Sequence, residues 1–169
     1  MPVHTGVGNP LIAMRRFRAY HTAVAFLVFA TCSLTAQPPL MHARGTFDVQ
    51  ITPQPAGADA TLGRMNLAKQ FSGDITGTST GTMLTGMTGV ANSAGYVAVE
   101  RVTGTVHGRK GSFTLQHSGT MNRGAPSLTI TIVPDSGTNE LAGISGAMTL
   151  VIEGKTHSYT LDYTIAATP

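Results

Sequence analysis

The chain carries one cysteine, Cys32, among 169 residues, and only 11% of those residues are charged. A lone thiol excludes an internal disulfide and any cysteine-pair metal or redox motif. The few charges are unevenly placed. Arg15, Arg16 and Arg18 lie near the N-terminus, and the first thirty-six residues contain no acid. Beyond them eight basic residues face eight acidic ones, so the formal charge of +3 belongs to the leading segment. The remainder has no basic patch of the kind that nucleic-acid binders need, and nucleic acid is not an expected partner. Also missing are a phosphate-cradling loop, a dinucleotide fingerprint and any sustained helical period; the glycines sit where turns are expected.

The longest apolar run, "AVAFLVFATCSLTA", spans residues 23–36 and is too short for a comfortable membrane crossing. It follows the three arginines and ends in small residues before "QPP". A charged region, an apolar region and a small-residue end predict a secretory signal over residues 1–36, with Met14 as an alternative start. Leu34 stands where a small residue is usual, so the cut falls at Ala36 or a few residues away. Phe29 and Thr31 fit a lipidation box around Cys32 poorly. The expectation is a secreted or periplasmic protein that touches membrane only through its signal. A linker over residues 37–43 would lead to one domain over residues 44–166. Loss of Cys32 with the signal leaves no thiolate chemistry, which suits an oxidising compartment.

Short alternating runs separated by glycine-rich turns fill that domain. They predict eight strands, at about residues 45–51, 64–71, 74–85, 95–107, 111–118, 126–133, 146–153 and 156–166. Ser72-Gly73, Gly154-Lys155 and the "GRKG" stretch 108–111 read as tight hairpin connections. Strands adjacent in sequence then pair as neighbours, and an even-numbered antiparallel meander loses its edges by closing. The predicted fold class is therefore all-β, a closed eight-stranded antiparallel barrel, with an open sandwich as the alternative.

The run "GYVAVERVTGTVHGRKGSFTLQH", residues 95–117, raises the functional question. Side chains alternate between the two faces of a strand. Phe113, Leu115 and His117 share one face, and across the hairpin Tyr96, Ala98, Glu100 and Val102 fall on the same side. This directs Glu100 inward, although Val97 and Val99 on the other face would pack equally well. Phe47, Val49, Ile51, Leu67, Phe71, Leu128, Ile130, Met148, Ile152 and Leu161 supply apolar filling. Lys69, Ser79, His157, Tyr159 and Tyr163 share the inward parity. Polar groups in such an interior must be satisfied.

Taken in order, "GTFDV", "GRMNLAKQFSGDITGTSTGTML", "GYVAVERVTGTVHGRKGSFTLQHSGTMNRG", "SLTITIVPDSGTNELAGISG" and "HSYTLDYTI" resemble the small bacterial proteins grouped as domain-of-unknown-function family 3224. The resemblance spans residues 44–165. It implies a closed antiparallel barrel similar to that of allene oxide cyclase and dirigent proteins. It carries no established activity, because fold and function separate readily. Barrels of the resembled fold often associate, so a homo-oligomer is an open partner class.

Three readings of the interior follow. Glu100 with His117, and with Lys69 nearby, could be a tuned acid–base pair in an isomerase or cyclase. The same residues with Tyr96, Tyr159 and Tyr163 could line a site for a small apolar or amphipathic molecule. They could equally form a polar plug that neutralises itself and fixes strand register. No cofactor is implied. Asp135-Ser136-Gly137-Thr138 imitates an aspartic-protease signature, yet Pro134 and the surrounding glycine and asparagine favour a turn. His42, His107, His117 and His157 lack the spacing that sets a metal site on one element, so no metal is expected. Arg64, Arg101 and Asp74 read as exterior charges.

Overall fold

The computed structural model describes residues 37–55 and 57–166; the expected signal segment and Cys32 lie outside them. Eight strands form the domain: β1 Met41–Pro53, β2 Leu62–Gly73, β3 Ile75–Met87, β4 Ala94–Val106, β5 Arg109–Asn122, β6 Ala125–Ile132, β7 Ile144–Glu153 and β8 Thr156–Ile165. Each strand pairs antiparallel with the next, and β8 pairs back onto β1 through Met41↔Tyr163 to Phe47↔His157, closing the barrel.

β1 begins earlier than the sequence pattern suggests. Met41, His42 and Ala43, expected in a linker, pair with Tyr163, Asp162 and Leu161 of β8. "MHA" lacks the β-branched residues that mark strands, and only the closing partner across the chain makes it one. A second difference lies in the β4–β5 connection. The turn is His107-Gly108, both at positive φ, so Arg109 and Lys110 already belong to β5. Arg123-Gly124 repeats that conformation between β5 and β6. Two-residue loops of this kind match the twist of the flanking strands, which a four-residue "GRKG" loop would not need to do.

Alternation sets the wall. Val97 and Val99 lie outside, each 53% exposed, while Ala98, Glu100 and Val102 are buried inside. The barrel has two unlike ends. Toward the β2–β3 and β4–β5 turns, Phe71, Ile75, Val106, Phe113, Leu161 and Tyr163 pack the interior and are buried. A 3₁₀ turn at Asn139–Leu141 adds Leu141 to that packing. The segment before it runs on beside β5: Thr138 N–H donates to the Ser112 carbonyl at 2.9 Å, and Thr114 N–H donates to Ser136 Oγ at 3.0 Å. Ser136 Oγ also donates to the Val133 carbonyl at 2.6 Å, and Asp135 has φ 58°, so the "DSGT" stretch is a structural turn.

Toward the opposite end Ile51, Leu128 and Ile152, expected to fill the interior, stay 48%, 41% and 61% exposed. They have the inward parity but sit at the rim, where the wall outruns its filling. The β6–β7 seam also opens there. Thr131↔Ala147 is the one registered pair between those strands among the described residues.

Candidate functional site

Four consecutive strands, β2 to β5, bring the polar residues together. Register places Lys69 of β2 opposite Ser79 of β3, and His117 of β5 opposite Ala98 of β4, one inward step from Glu100. Glu100 is 1% exposed and accepts three hydrogen bonds. Its Oε1 accepts from Lys69 Nζ at 2.6 Å and from His117 Nε2 at 2.9 Å; its Oε2 accepts from Ser79 Oγ at 2.8 Å. Burial alone would raise the carboxyl pKa. The His117 hydrogen bond and the Lys69 ammonium outweigh it and hold Glu100 down at about 2.

An ionised carboxylate only accepts, so the proton between Glu100 and His117 rides on Nε2 of the imidazole. Lys69 Nζ also sits over the Phe47 ring, 4.6 Å from its centroid, and donates one hydrogen bond among the described residues. Glu100 faces inward, paired with both His117 and Lys69.

Above this group the barrel is hollow. A cavity of about 510 Å³ opens toward the rim, walled by residues such as Val49, Leu67, Met83, Ala98 and Leu150. Lys69 and His117 form its polar floor; Glu100 lies behind them and does not line it. Tyr96 and His157 also line the cavity, the latter stacked on Phe47 at 5.2 Å between centroids. Burial, with a smaller effect of the Glu100 charge, raises the Tyr96 phenol. Gly119 makes room for that ring: a Cβ there would stand 2.2 Å from a Tyr96 ring carbon.

Two expected site residues are elsewhere. Tyr159 and Tyr163 face inward, but in the filled half. Tyr159 Oη accepts from the Ile75 amide at 2.8 Å, and Tyr163 Oη is 2.8 Å from His107 Nδ1. Both hydroxyls are occupied in tying strands together, and neither tyrosine lines the cavity. Parity places a side chain inside the wall but does not say at which height. His42 is outside the barrel, with Nδ1 2.6 Å from Asp162 Oδ1. Asp74 accepts from the Arg44 amide at 2.8 Å, and exposed Arg101 donates to Ser112 Oγ at 2.5 Å. Gly119 and Met83, which shape the cavity, were not singled out; only their register opposite Tyr96 and Ala98 could have marked them.

A closed antiparallel barrel, filled at one end and hollow over a charged floor at the other, defines the structural class. The family model described as protein of unknown function (DUF3224) matches residues 43–163, and the chain belongs to that family. It is similar to a solved structure of a protein of unknown function from the DUF3224 family of Shewanella oneidensis MR-1. That likeness is 42% identical, covers 77% of this chain and 100% of that one, and has a TM-score of 0.73. No curated protein matches.

Proposed function

We propose that the barrel is a binding module for one small, mostly apolar molecule, received through the open rim with its polar end on Lys69 and His117. The observation that carries this reading is the cavity of about 510 Å³ whose walls are apolar and whose floor holds two nearly buried polar side chains. Cavities of a few hundred cubic ångströms with few, convergent polar groups are typical of ligand sites. A polar plug alone would explain the Glu100 cluster but not the empty volume above it.

The isomerase or cyclase reading through Glu100 receives less support. Both Glu100 oxygens are occupied, its ionised form is strongly favoured, and Lys69 and His117 screen it from the cavity. Binding is tested by native mass spectrometry with dodecanol. The reading predicts one retained molecule per chain and its loss in the cavity-filling variant Leu150→Trp. Absence of any retained ligand across alkyl chain lengths would reject it. We also propose that the domain is exported after removal of residues 1–36, on the strength of the arginine-led apolar run. The intact mass of the native protein tests this, and a soluble cytoplasmic form retaining those residues would contradict it.

A further inference from the structure

The floor of the cavity has a specific hydrogen-bonding polarity. Lys69 Nζ carries three N–H groups and donates one of them, to Glu100, among the described residues. His117 offers the opposite. With the imidazole neutral, the Nε2–H is committed to Glu100 and Nδ1 is an acceptor. No hydrogen-bond partner for Nδ1 occurs among the described residues. No sealed side-chain nitrogen or oxygen among them lacks a partner either, so Nδ1 is one that reaches the cavity. Nζ and Nε2 both bond the same Glu100 oxygen, which sets the ammonium and the imidazole side by side within reach of one head group. A ligand must then present an acceptor to Lys69 and a donor to His117.

We propose that the molecule bound in the cavity brings its own proton, as a carboxylic acid or an alcohol at the end of an apolar chain. The inference rests on the binding reading above and names the class of ligand. A ketone or an ester could accept from Lys69 but would leave Nδ1 dry and unpaired. An alcohol accepts through its oxygen and donates its O–H to Nδ1. A carboxylic acid gives the proton to Nδ1 outright, so that the imidazolium lies between two carboxylates, Glu100 and the ligand, with Lys69 beside them. That arrangement is electrically neutral: two anions and two cations.

The other titratable groups around the cavity are few. Besides Glu100 behind it, the titratable side chains sharing the lining with His117 are Lys69 from β2, Tyr96 from β4 and His157 from β8; β1, β3, β6 and β7 contribute no charged side chain to it. His157 is engaged in stacking on Phe47.

Isothermal titration of the wild-type protein with dodecanoic acid, dodecanol and methyl dodecanoate tests the inference at about pH 8, where a free carboxylic acid is ionised. Repeating each titration in two buffers of different ionisation enthalpy counts protons. The expected result is uptake of close to one proton per dodecanoate bound and none per dodecanol. The ester should bind about tenfold more weakly than the alcohol, reflecting an acceptor left unpaired. His117→Gln keeps an N–H for Glu100 and an amide oxygen that still accepts from an alcohol but takes up no proton; it should abolish proton uptake while the alcohol keeps its lead over the ester. Equal binding of all three ligands, or dodecanoate binding without proton uptake, would overturn the inference while leaving the binding reading intact. Failure of all three to bind would overturn the reading and the inference with it.

Discussion

The two ends of the barrel are built on one alternation and differ in what the inward positions carry. In the filled half those positions hold Phe71, Ile75, Phe113, Leu161 and Tyr163, all at most 1% exposed. In the hollow half they hold Ala94, Ala98 and Gly119 beside flexible Met83 and Met121 at the wall. Eight strands enclose an interior that large side chains just fill, or that small ones leave open for one molecule. Inward parity is therefore common to scaffold and site. Side-chain volume along the barrel axis separates them, and the Glu100 cluster lies at the border.

The largest expected effect comes from that border. Glu100→Gln removes the anion and leaves the Lys69 ammonium buried without a counter-charge. Breaking a buried pair in this way costs about 3–5 kcal/mol. Chemical denaturation should show the loss, and the double variant Lys69→Met, Glu100→Gln should recover most of it. The same carboxylate sets an acid limb. Its pKa falls from the ordinary 4.5 to about 2 in the folded protein, so the folded state releases this proton more readily than the unfolded one. The stabilisation is complete above pH 4.5 and is lost as pH drops through about 2. Stability measured down that range should fall less steeply in the double variant than in the wild type.

Next comes the contrast between ends. Leu161→Ala opens a hole in the filled half and should cost about 2–5 kcal/mol. Met121→Ala, at a position 40% exposed on the rim, should stay within about 0.5 kcal/mol. Equal losses at the two sites would erase the distinction. The smallest effect on stability is expected from Gly119→Ala. Its Cβ would displace the half-buried Tyr96 ring, which can swing toward the cavity. Folding should change little, whereas affinity for dodecanol should drop by several fold in the same titration.

Much of the scaffold was legible because a strand writes its orientation in every second residue. The "FTLQH" run fixed the facing of Glu100 through Phe113 and Leu115, and the even strand number predicted closure. Strand ends were less legible. Met41–Ala43 become β-structure only by pairing with β8, a partner more than a hundred residues away. The site was half legible. Lys69, Glu100 and His117 shared a parity and do converge, with Tyr96 above them. Tyr159 and Tyr163 shared it too, but register around the barrel carries them to the filled half. Whether the lumen was open could not be read from any one strand, because it depends on which small residues from β4 and β5 end up at the same height.

On the proposed reading the rim-side lumen, and not the filled half, receives a ligand. Methyl-resolved NMR during titration with dodecanol tests it most directly. The account predicts saturable, one-to-one shifts of the Met83, Met121 and Leu150 methyls, with those of Ile75, Ile144 and Leu161 unmoved. Unsaturable changes, or shifts confined to Val97 and Val99 on the outer wall, would contradict it.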